Sequence, residues 1–394
     1  MMERTYVTKV RFNRAALWSK KAPILGSLDI ELTERCNNNC IHCYINKPRN
    51  HKPSLARELS AQDIGEVLRE AVSLGCLSVG FTGGEPLLRE DFEDLYLLSR
   101  RLGLKVRLIT NATLITPRLT DIFSRVPPLE KVAITLYGTD TNSYEAISGR
   151  RGSYKAAIQG IQRLLDNKIP FIIKGTAFSS NATKIRTFEK RARMESWIDG
   201  DPAYVISLNL RARRDSESKN ERIRTLRLSP GGQYGILSRN KGAFEKDMRR
   251  LFSRFSKPRG DRLFDCDPGL GNAALDSYGH LQACLLLRHP ETTYALRTGN
   301  LRDAMQNFFP ELRGRRAKNP AFLARCGRCF LSDLCDQCPA KSWMETGDLD
   351  TPIEYYCRVS HSIARKLGLL LARENAWEVP DLKKRIKTFV EGEK

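Results

Sequence analysis

The sequence predicts an α/β fold: a partial (β/α)6 barrel of parallel strands, followed by a small cysteine-rich C-terminal domain. Short apolar strands alternate with amphipathic helices through the first half of the chain, which is the pattern of a parallel sheet with helical crossovers. The alternation ends after six repeats, which is too few for a closed eight-stranded barrel. Seven of the eleven cysteines then follow residue 260.

Apolar periodicity locates the six repeats one by one. The predicted strands cover residues 27–33, 77–81, 106–109, 132–136, 170–174 and 204–208. The predicted helices cover residues 60–74, 91–102, 117–125, 153–167 and 183–197. Ser60 precedes the first of these helices and fits its N-cap position. The loops at the carboxyl ends of the strands are where a site is expected in such a barrel.

Composition divides the remainder of the chain into segments. Residues 1–26 form a polar N-terminal extension before the barrel of residues 27–210. Residues 211–260 are expected to be a basic linker, mostly solvated, followed by helix over about 233–256. The cysteine-rich domain covers residues 261–360, and residues 361–394 form a C-terminal helix and tail.

Charge and hydropathy limit the classes of protein and partner. No apolar run approaches the ~18–20 residues of a membrane span, and no signal-peptide stretch is found, so we expect a cytoplasmic location. The formal net charge of +21 fits a basic, soluble surface or an acidic partner such as an acidic peptide. Nucleic acid is a less favoured partner because no zinc-finger, RNA-recognition or helix-turn-helix signature focuses the charge.

Cysteine usage points to metal chemistry. Disulfides are rare in reducing compartments, so eleven cysteines without an export signal argue against a disulfide scaffold. Ten of them fall into two spaced groups, which favours metal or iron–sulfur ligation. The remaining one, Cys76, lies beside a predicted strand and is expected to be buried packing.

The first group has the spacing CxxxCxxC, in Cys36, Cys40 and Cys43, directly after the first strand. Three thiolates from one short loop can hold three irons of a 4Fe–4S cluster and leave the fourth iron open. A structural zinc ion would require a fourth ligand nearby, and His42 lies awkwardly between two of the cysteines. The spacing therefore favours iron–sulfur over zinc.

A second motif, Gly83-Gly84-Glu85-Pro86, follows the second strand. Two glycines let the backbone approach a ligand closely, and Glu85 adds an acceptor beside them. The two motifs together resemble those of the radical S-adenosylmethionine (SAM) superfamily. The resemblance continues through Thr110-Asn111 and residues 134–138 and 144–155, and it covers roughly residues 27–210.

This resemblance implies a cofactor and a reaction. SAM would bind the open iron, and the reduced cluster would cleave it to a 5′-deoxyadenosyl radical that abstracts hydrogen from the substrate. The implied catalytic ligands are Cys36, Cys40 and Cys43. The implied SAM contacts are His42 beside the adenine, Gly83, Gly84, Glu85 and Pro86 at the methionine amino group, Thr135 near the ribose, and Asn111. The candidates for the SAM carboxylate are Lys174, Arg150 and Arg151.

The second group has two interpretations. It comprises Cys266, Cys284, Cys326, Cys329, Cys335, Cys338 and Cys357. The paired CxxC motifs at 326–338 fit one structural zinc ion. The whole pattern resembles the SPASM domain, an auxiliary-cluster module of many peptide-modifying radical SAM enzymes, although its last pair is one residue shorter than usual.

The SPASM resemblance implies crossed ligation of two auxiliary 4Fe–4S clusters. Cys266, Cys284 and Cys338 would bind the first cluster, and Cys326, Cys329, Cys335 and Cys357 would bind the second. The first cluster is then one cysteine short. Its last iron would be open to substrate, or it would take Asp265, Asp267 or His280 as a ligand.

The resemblance implies a radical SAM enzyme acting on a peptide or protein, as a maturase of a ribosomally made peptide. The alternatives are a small molecule or cofactor precursor as substrate, a sulfatase-maturase-like activity, and a non-catalytic iron–sulfur or zinc scaffold. Leu285 follows Cys284 where sulfatase maturases tend to have an acidic base, so that activity is less favoured. The expected partners are an acidic peptide, an electron donor such as flavodoxin or ferredoxin, and a separate peptide-recognition protein.

Overall fold

The computed structural model describes residues 24–195, 204–254 and 257–392. The predicted N-terminal extension therefore lies almost entirely outside the described residues. The chain folds into two compact units. The first unit comprises the chain up to Thr176, with Thr183–Val205 and Pro268–Leu312, and the second comprises Ala177–Ala182, Ile206–Asp267 and Arg313–Lys394. These units are defined by compactness, whereas the predicted boundaries at 26, 210, 260 and 360 are defined by composition and motifs. Those boundaries therefore stay a prediction.

The first unit is built on one large sheet. The strands of the chain are β1 Leu25–Thr33, β2 Arg35–Cys36, β3 Lys47–Pro48, β4 Ser78–Gly83, β5 Lys105–Thr110, β6 Val132–Thr135, β7 Phe171–Thr176, β8 Tyr204–Val205, β9 Gly271–Leu275, β10 His280–Gln282 and β11 Thr293–Ala295. Their order in the sheet is β11-β10-β9-β1-β4-β5-β6-β7-β8, while β2 pairs with β3 separately. Neighbours from β9 to β8 are parallel, and β9, β10 and β11 form an antiparallel meander.

The six predicted strands are present in the predicted parallel order, which confirms the α/β fold with a partial barrel. The last of them is shorter than predicted and ends at Val205. Strand β9 was not predicted, and it lies beside β1 with Asp29 opposite Ala274. Its sequence, Gly-Asn-Ala-Ala-Leu, has no β-branched residue, and its pairing with β1 is distant in sequence.

The helices follow the predicted repeats closely in the first unit. In chain order they are α1 Lys52–Leu55, α2 Ala61–Ser73, α3 Phe92–Arg101, α4 Pro117–Arg125, α5 Thr141–Ser148, α6 Ser153–Asp166, α7 Ile185–Glu195, α8 Glu217–Leu226, α9 Pro230–Leu237, α10 Lys241–Arg254, α11 Leu301–Asp303, α12 Phe309–Gly314, α13 Pro320–Ala324, α14 Pro339–Thr346, α15 Glu354–Lys366 and α16 Leu382–Glu391. Ser60 caps α2 as predicted, and it forms a capping box with Asp63.

The segment after residue 210, predicted to be a mostly solvated basic linker, is mostly exposed but also contains a helix and a buried arginine. Residues 217–226 form helix α8, and Arg211 is buried with both arms of its guanidinium on the Asp215 carboxylate, at 2.8 and 3.0 Å. Arg214 donates to the carbonyls of Trp343 and Met344 in the last turn of α14. Cations are favourable at helix C-termini, so Arg214 stabilises α14 from an exposed position, whereas Arg211 is buried on its carboxylate partner.

The core of the second unit joins three helices. The buried side chains are Phe252 of α10, Ala364 of α15 and Phe330 from the loop before α14. Phe389 of α16 packs against them. The helix expected over 233–256 is two helices, α9 and α10, and the apolar helix expected near residue 360 is α15. None of the helices among the described residues is long and apolar enough to cross a membrane.

Candidate functional site

The three cysteines of the first group share one loop after β1. Cys36 and Cys40 are buried, and Cys43 is partly exposed. Burial raises the pKa of the Cys36 thiol well above its ordinary value, and the nearby Glu85 and Cys40 raise it further. The thiol of Cys36 is therefore neutral by itself, and a bound metal would be required to ionise it.

The end of helix α5 supports this loop. The N–H of Asn39 donates to the carbonyl of Ser148 at 2.9 Å, and a Cβ added to Gly149 would lie 2.5 Å from the carbonyl oxygen of Asn39. Gly149 also has a φ of 63°, so both its contact and its backbone favour glycine. Arg150, a candidate for the SAM carboxylate, instead donates to the carbonyl of Asn37. Arg151 is exposed.

The glycines of the second motif bring it against the cysteine loop. A Cβ on Gly83 would lie 2.2 Å from the carbonyl oxygen of Thr33, and one on Gly84 would lie 2.2 Å from that of Arg35. The N–H of Gly84 donates to Thr33 at 2.7 Å, and the N–H of Glu85 donates to Arg35 at 2.9 Å. The two sequence motifs therefore meet through their backbones, and only residues without a side chain allow this approach.

The Glu85 carboxylate is fully buried and engaged within the protein. It accepts hydrogen bonds from the N–H of Leu87 at 3.1 Å, the hydroxyl of Thr110 at 2.8 Å and the N–H of Asn111 at 2.9 Å. Burial nevertheless raises its pKa to about 7. This side chain joins the loops after β4 and β5, and the contact of the Gly83–Pro86 segment with SAM stays a prediction.

Asn111 and His42 both lie at the cysteine loop. The amide nitrogen of Asn111 donates to the side chain of Asn37 at 2.9 Å and lies 3.8 Å from the sulfur of Cys36. The ring of His42 packs edge-on against Tyr137, with centroids 5.0 Å apart. Burial lowers the pKa of His42 to about 4, so its imidazole is neutral and suits stacking on an uncharged ring.

Thr135 and Lys174 are paired in register at the ends of β6 and β7. Lys174 is half-buried, and its pKa is lowered by burial and by the nearby Arg107, while Asp29 acts in the opposite direction. Arg107 and Asp29 form an ion pair of 2.5 Å across the sheet, over Gly80 in the strand between them. The contact of Lys174 with SAM stays a prediction.

A buried ion network near the cysteine loop was not predicted. Arg288 lies 2.5 Å from Glu31, 3.5 Å from Glu34 and 3.7 Å from Asp276, and all four side chains are almost fully buried. The carboxylates raise the pKa of Arg288, although burial alone would lower it. Glu31 lies in β1 with Asp29 two residues earlier, and this alternation of acidic residues in a strand was the available signal.

The second unit brings four thiols to one cavity. Cys326, Cys329, Cys335 and Cys357 line it. Burial and then repulsion from Cys335 raise the pKa of Cys326 to about 11, and burial raises the pKa of Cys329 to about 12. These four are the residues predicted for the second auxiliary cluster, and a thiol-lined cavity fits such a cluster. Within residues 24–195, 204–254 and 257–392, no three His, Cys, Asp or Glu side chains converge as ligands of one metal ion.

The three cysteines predicted for the first auxiliary cluster lie in different units. Cys284 is exposed in the first unit, whereas Cys266 and Cys338 belong to the second, where Cys338 directly precedes α14. The additional ligands considered for this cluster are near ionic groups: Asp265 pairs with Arg259 at 2.8 Å, Asp267 lies 3.6 Å from Arg262, and His280 lies 3.0 Å from Asp276. This ligand set stays a prediction. Cys76 is fully buried, as predicted.

Comparison with known proteins identifies the first unit. Residues 30–179 match the model of the Radical SAM superfamily. The chain contains a radical SAM domain. This domain implies SAM and one 4Fe–4S cluster as cofactors, and the cysteine loop and the Gly83–Pro86 segment both lie within it.

Sequence relatives extend beyond the radical SAM domain. An AdoMet-dependent heme synthase of Methanosarcina barkeri is 25% identical, over 81% of this chain and 92% of the relative. The sporulation killing factor maturation protein SkfB of Bacillus subtilis is 26% identical, over 41% of this chain and 40% of the relative.

Solved structures share the fold over most of the chain. The structure of anSMEcpe with bound AdoMet matches with a TM-score of 0.60 at 15% identity, over 92% of this chain and 98% of that chain. Streptococcus suis SuiB bound to S-adenosylmethionine matches with a TM-score of 0.56 at 18% identity, over 84% and 77%. At these identities the likeness shows the fold, and it covers both the radical SAM domain and the cysteine-rich region.

Proposed function

We propose that this radical SAM enzyme holds three 4Fe–4S clusters and takes hydrogen from a peptide or protein substrate. The observation that carries the proposal is the arrangement of thiols. One buried loop of the first unit presents Cys36, Cys40 and Cys43, and one cavity of the second unit is lined by four further cysteines.

The residues of the first unit would hold SAM and its cluster. The three loop thiolates bind three irons, the Gly83–Pro86 segment and Lys174 bind the amino and carboxylate groups of SAM, and His42 packs beside its adenine. When bound, SAM and the reduced cluster supply a 5′-deoxyadenosyl radical that takes a hydrogen atom from an unactivated carbon. The buried surroundings of the loop exclude water from this site.

The cysteines of the second group would hold the auxiliary clusters. Cys326, Cys329, Cys335 and Cys357 bind one of them, which the shared cavity supports. Cys266, Cys284 and Cys338 bind the other. A structural zinc ion on the paired CxxC motifs is less favoured because Cys357, and not Cys338, is among the cavity residues.

A peptide substrate is supported by the proteins of similar fold. Streptococcus suis SuiB has been solved bound to the precursor peptide SuiA, with a TM-score of 0.58, and anSMEcpe has been solved with AdoMet and the Cp18Cys peptide, with a TM-score of 0.59. The net charge of +21 favours an acidic peptide, because long-range attraction raises its association rate. An electron donor and a separate peptide-recognition protein complete the proposed partners.

A tetrapyrrole substrate is the second candidate. It is favoured by two relatives in Methanosarcina barkeri whose matches cover most of this chain. The AdoMet-dependent heme synthase matches 81% of this chain, and the Fe-coproporphyrin III synthase is 24% identical over 77% of this chain and 80% of the relative.

Iron content and SAM cleavage test the cofactor part of the proposal. Anaerobically reconstituted protein should bind about twelve irons per chain, three clusters of four. The triple variant Cys36→Ala, Cys40→Ala and Cys43→Ala should lose about four irons and all 5′-deoxyadenosine formation. Cleavage of SAM by that triple variant would contradict the assignment, and one zinc with about four irons would support the zinc alternative.

Two substrate classes can be compared in the same assay. An acidic peptide encoded beside this gene and Fe-coproporphyrin III are each incubated with the reconstituted protein, SAM and a chemical reductant. The true substrate should raise 5′-deoxyadenosine formation, and mass spectrometry should show that this substrate has lost hydrogen. Stimulation by the tetrapyrrole alone would decide for the second candidate.

A further inference from the structure

The sulfur of Cys357 has two side-chain contacts that suit hydrogen-bond donors. The Nη2 atom of Arg325 lies 3.7 Å from this sulfur, and the Nδ1 atom of His361 lies 3.5 Å from it. All three residues line the cavity of the second unit. If Cys357 binds a cluster as a thiolate, Arg325 and His361 would both donate to the same ligand sulfur.

The backbone of a neighbouring segment determines the tautomer of His361. The N–H of Ala376 donates to Nε2 of His361 at 3.0 Å, so Nε2 is the acceptor and the proton of the neutral ring is on Nδ1. This proton is directed at Cys357, whose carbonyl oxygen lies 2.8 Å from Nδ1 and whose sulfur lies 3.5 Å away.

Arg325 is held in place on both sides. Its guanidinium lies 2.6 Å from the Glu354 carboxylate and over the ring of Trp377, 4.8 Å from the centroid. The ring of Trp377 also contacts His361 edge-on, at 5.4 Å. The two donors are therefore packed on one indole, and an arginine stays protonated at any pH the protein tolerates.

The other thiols of the cavity have different donors. Cys329 is approached by the backbone N–H of Leu331, and Cys335 by the backbone N–H of Gln337 and the hydroxyl of Ser360. These donors are uncharged. Cys357 differs from both because a cation lies within hydrogen-bond distance of its sulfur, whereas Arg259 acts on Cys335 only through its charge.

We propose that Arg325 and His361 raise the reduction potential of the auxiliary cluster held by Cys326, Cys329, Cys335 and Cys357, by acting on the sulfur of Cys357. This inference rests on the proposed function, because it requires a cluster at these cysteines. Reduction adds one negative charge to the cluster, and a nearby cation with a hydrogen bond to a ligand sulfur stabilises the more negative state. The two residues are positioning residues, since they act through a ligand and do not touch substrate.

The test is an anaerobic potentiometric titration followed by electron paramagnetic resonance. The parent protein is the full-length chain with Cys36→Ala, Cys40→Ala and Cys43→Ala, so that the SAM cluster gives no signal. The signal to be titrated is the one that disappears when Cys357→Ala is added to this parent. Arg325→Met and His361→Phe should each shift its midpoint potential to more negative values at unchanged iron content. Arg325→Lys and His361→Gln keep an N–H donor and should shift the potential less.

Arg328 provides the matched control. It lies between Cys326 and Cys329 with the same charge but is exposed, so Arg328→Met should leave the potential unchanged. Unchanged potentials in all four Arg325 and His361 variants, or an equal shift in Arg328→Met, would overturn this inference and leave the proposed function intact. A parent without a Cys357-dependent cluster would overturn both. If Arg325→Met and His361→Phe do not fold, Arg325→Gln removes the charge while keeping an N–H donor, and an unchanged potential in it would overturn the inference.

Discussion

The backbone N–H of Asn111 donates a hydrogen bond of 2.9 Å to the carboxylate of Glu85. This contact joins the loop after β5 to the loop after β4. The side chain of Asn111 then contacts Asn37 in the cysteine loop. Three loops from three neighbouring parallel strands are therefore held in one arrangement around the cysteine loop.

Removal of the Glu85 carboxylate should disturb all three loops. In Glu85→Ala, the donors on Leu87, Thr110 and Asn111 lose their shared acceptor. One buried donor without a partner costs about 1–3 kcal/mol of stability, so the three loops would no longer be held in their arrangement around the cysteine loop. We expect the rate of 5′-deoxyadenosine formation to fall by at least about tenfold, measured on reconstituted protein. Glu93→Ala removes a carboxylate from a more exposed ion pair and is the control; equal rates in both variants would contradict this role.

A comparison of alanine variants at Gly149 and Gly152 distinguishes steric contact from backbone strain. Both have positive φ, 63° and 79°, and an alanine at either position costs about 1–2 kcal/mol. An added Cβ meets the carbonyl of Asn39 only at Gly149, while nothing lies within 4 Å at Gly152. Gly149→Ala should therefore lower the iron content of the SAM cluster and the rate of SAM cleavage. Gly152→Ala should retain both, and a similar loss in both variants would show that strain alone is responsible.

Arg227 should contribute more to stability than Arg224. The Arg227 side chain is buried, pairs with the buried Glu345 and donates to the carbonyl of Leu208 at 2.9 Å, whereas Arg224 is partly exposed. Removal of one partner of a buried pair costs about 3–5 kcal/mol, while exposed pairs contribute about 0–1 kcal/mol. Urea unfolding should show a larger loss of unfolding free energy for Arg227→Met than for Arg224→Met. Equal losses would contradict this ranking and would mean that Arg224, 3.9 Å from Glu345, replaces Arg227 as its partner.

Cys357 and Cys338 distinguish the two metal arrangements of the second unit. Crossed ligation assigns Cys357 to the cavity cluster, whereas a zinc ion on the paired CxxC motifs would use Cys338. We expect Cys357→Ala to lose about four irons per chain together with the signal of the cavity cluster. Cys338→Ala should keep that signal. Zinc bound by the Cys357→Ala variant and absent from the Cys338→Ala variant would establish the alternative.

Much of the radical SAM domain could be predicted from local patterns. Strand and helix periodicities locate β1 and β4–β7 to within a few residues, because each pattern is contained in its own segment. The cysteine loop and the Gly83–Pro86 segment were recognisable because ligand spacing and paired glycines are short-range features. Their meeting follows from the fold, since the carboxyl ends of neighbouring parallel strands lie on the same edge of the sheet.

The unpredicted features all depend on contacts between distant segments. Strand β9 pairs with β1, Arg288 forms an ion pair with Glu31, and Gly149 packs on Asn39. No local sequence pattern predicts any of these three contacts. The basic residues Arg211 and Arg214 illustrate the reason. A charge pattern records how many cations a segment has, but only the tertiary structure decides whether a carboxylate, a helix C-terminus or water faces each one. By itself the sequence determined the order of the strands and the chemistry of the cysteine loop. The tertiary structure decided which groups hold that loop and which donors reach the sulfur of Cys357, because these depend on side-chain approach across segments far apart in the chain.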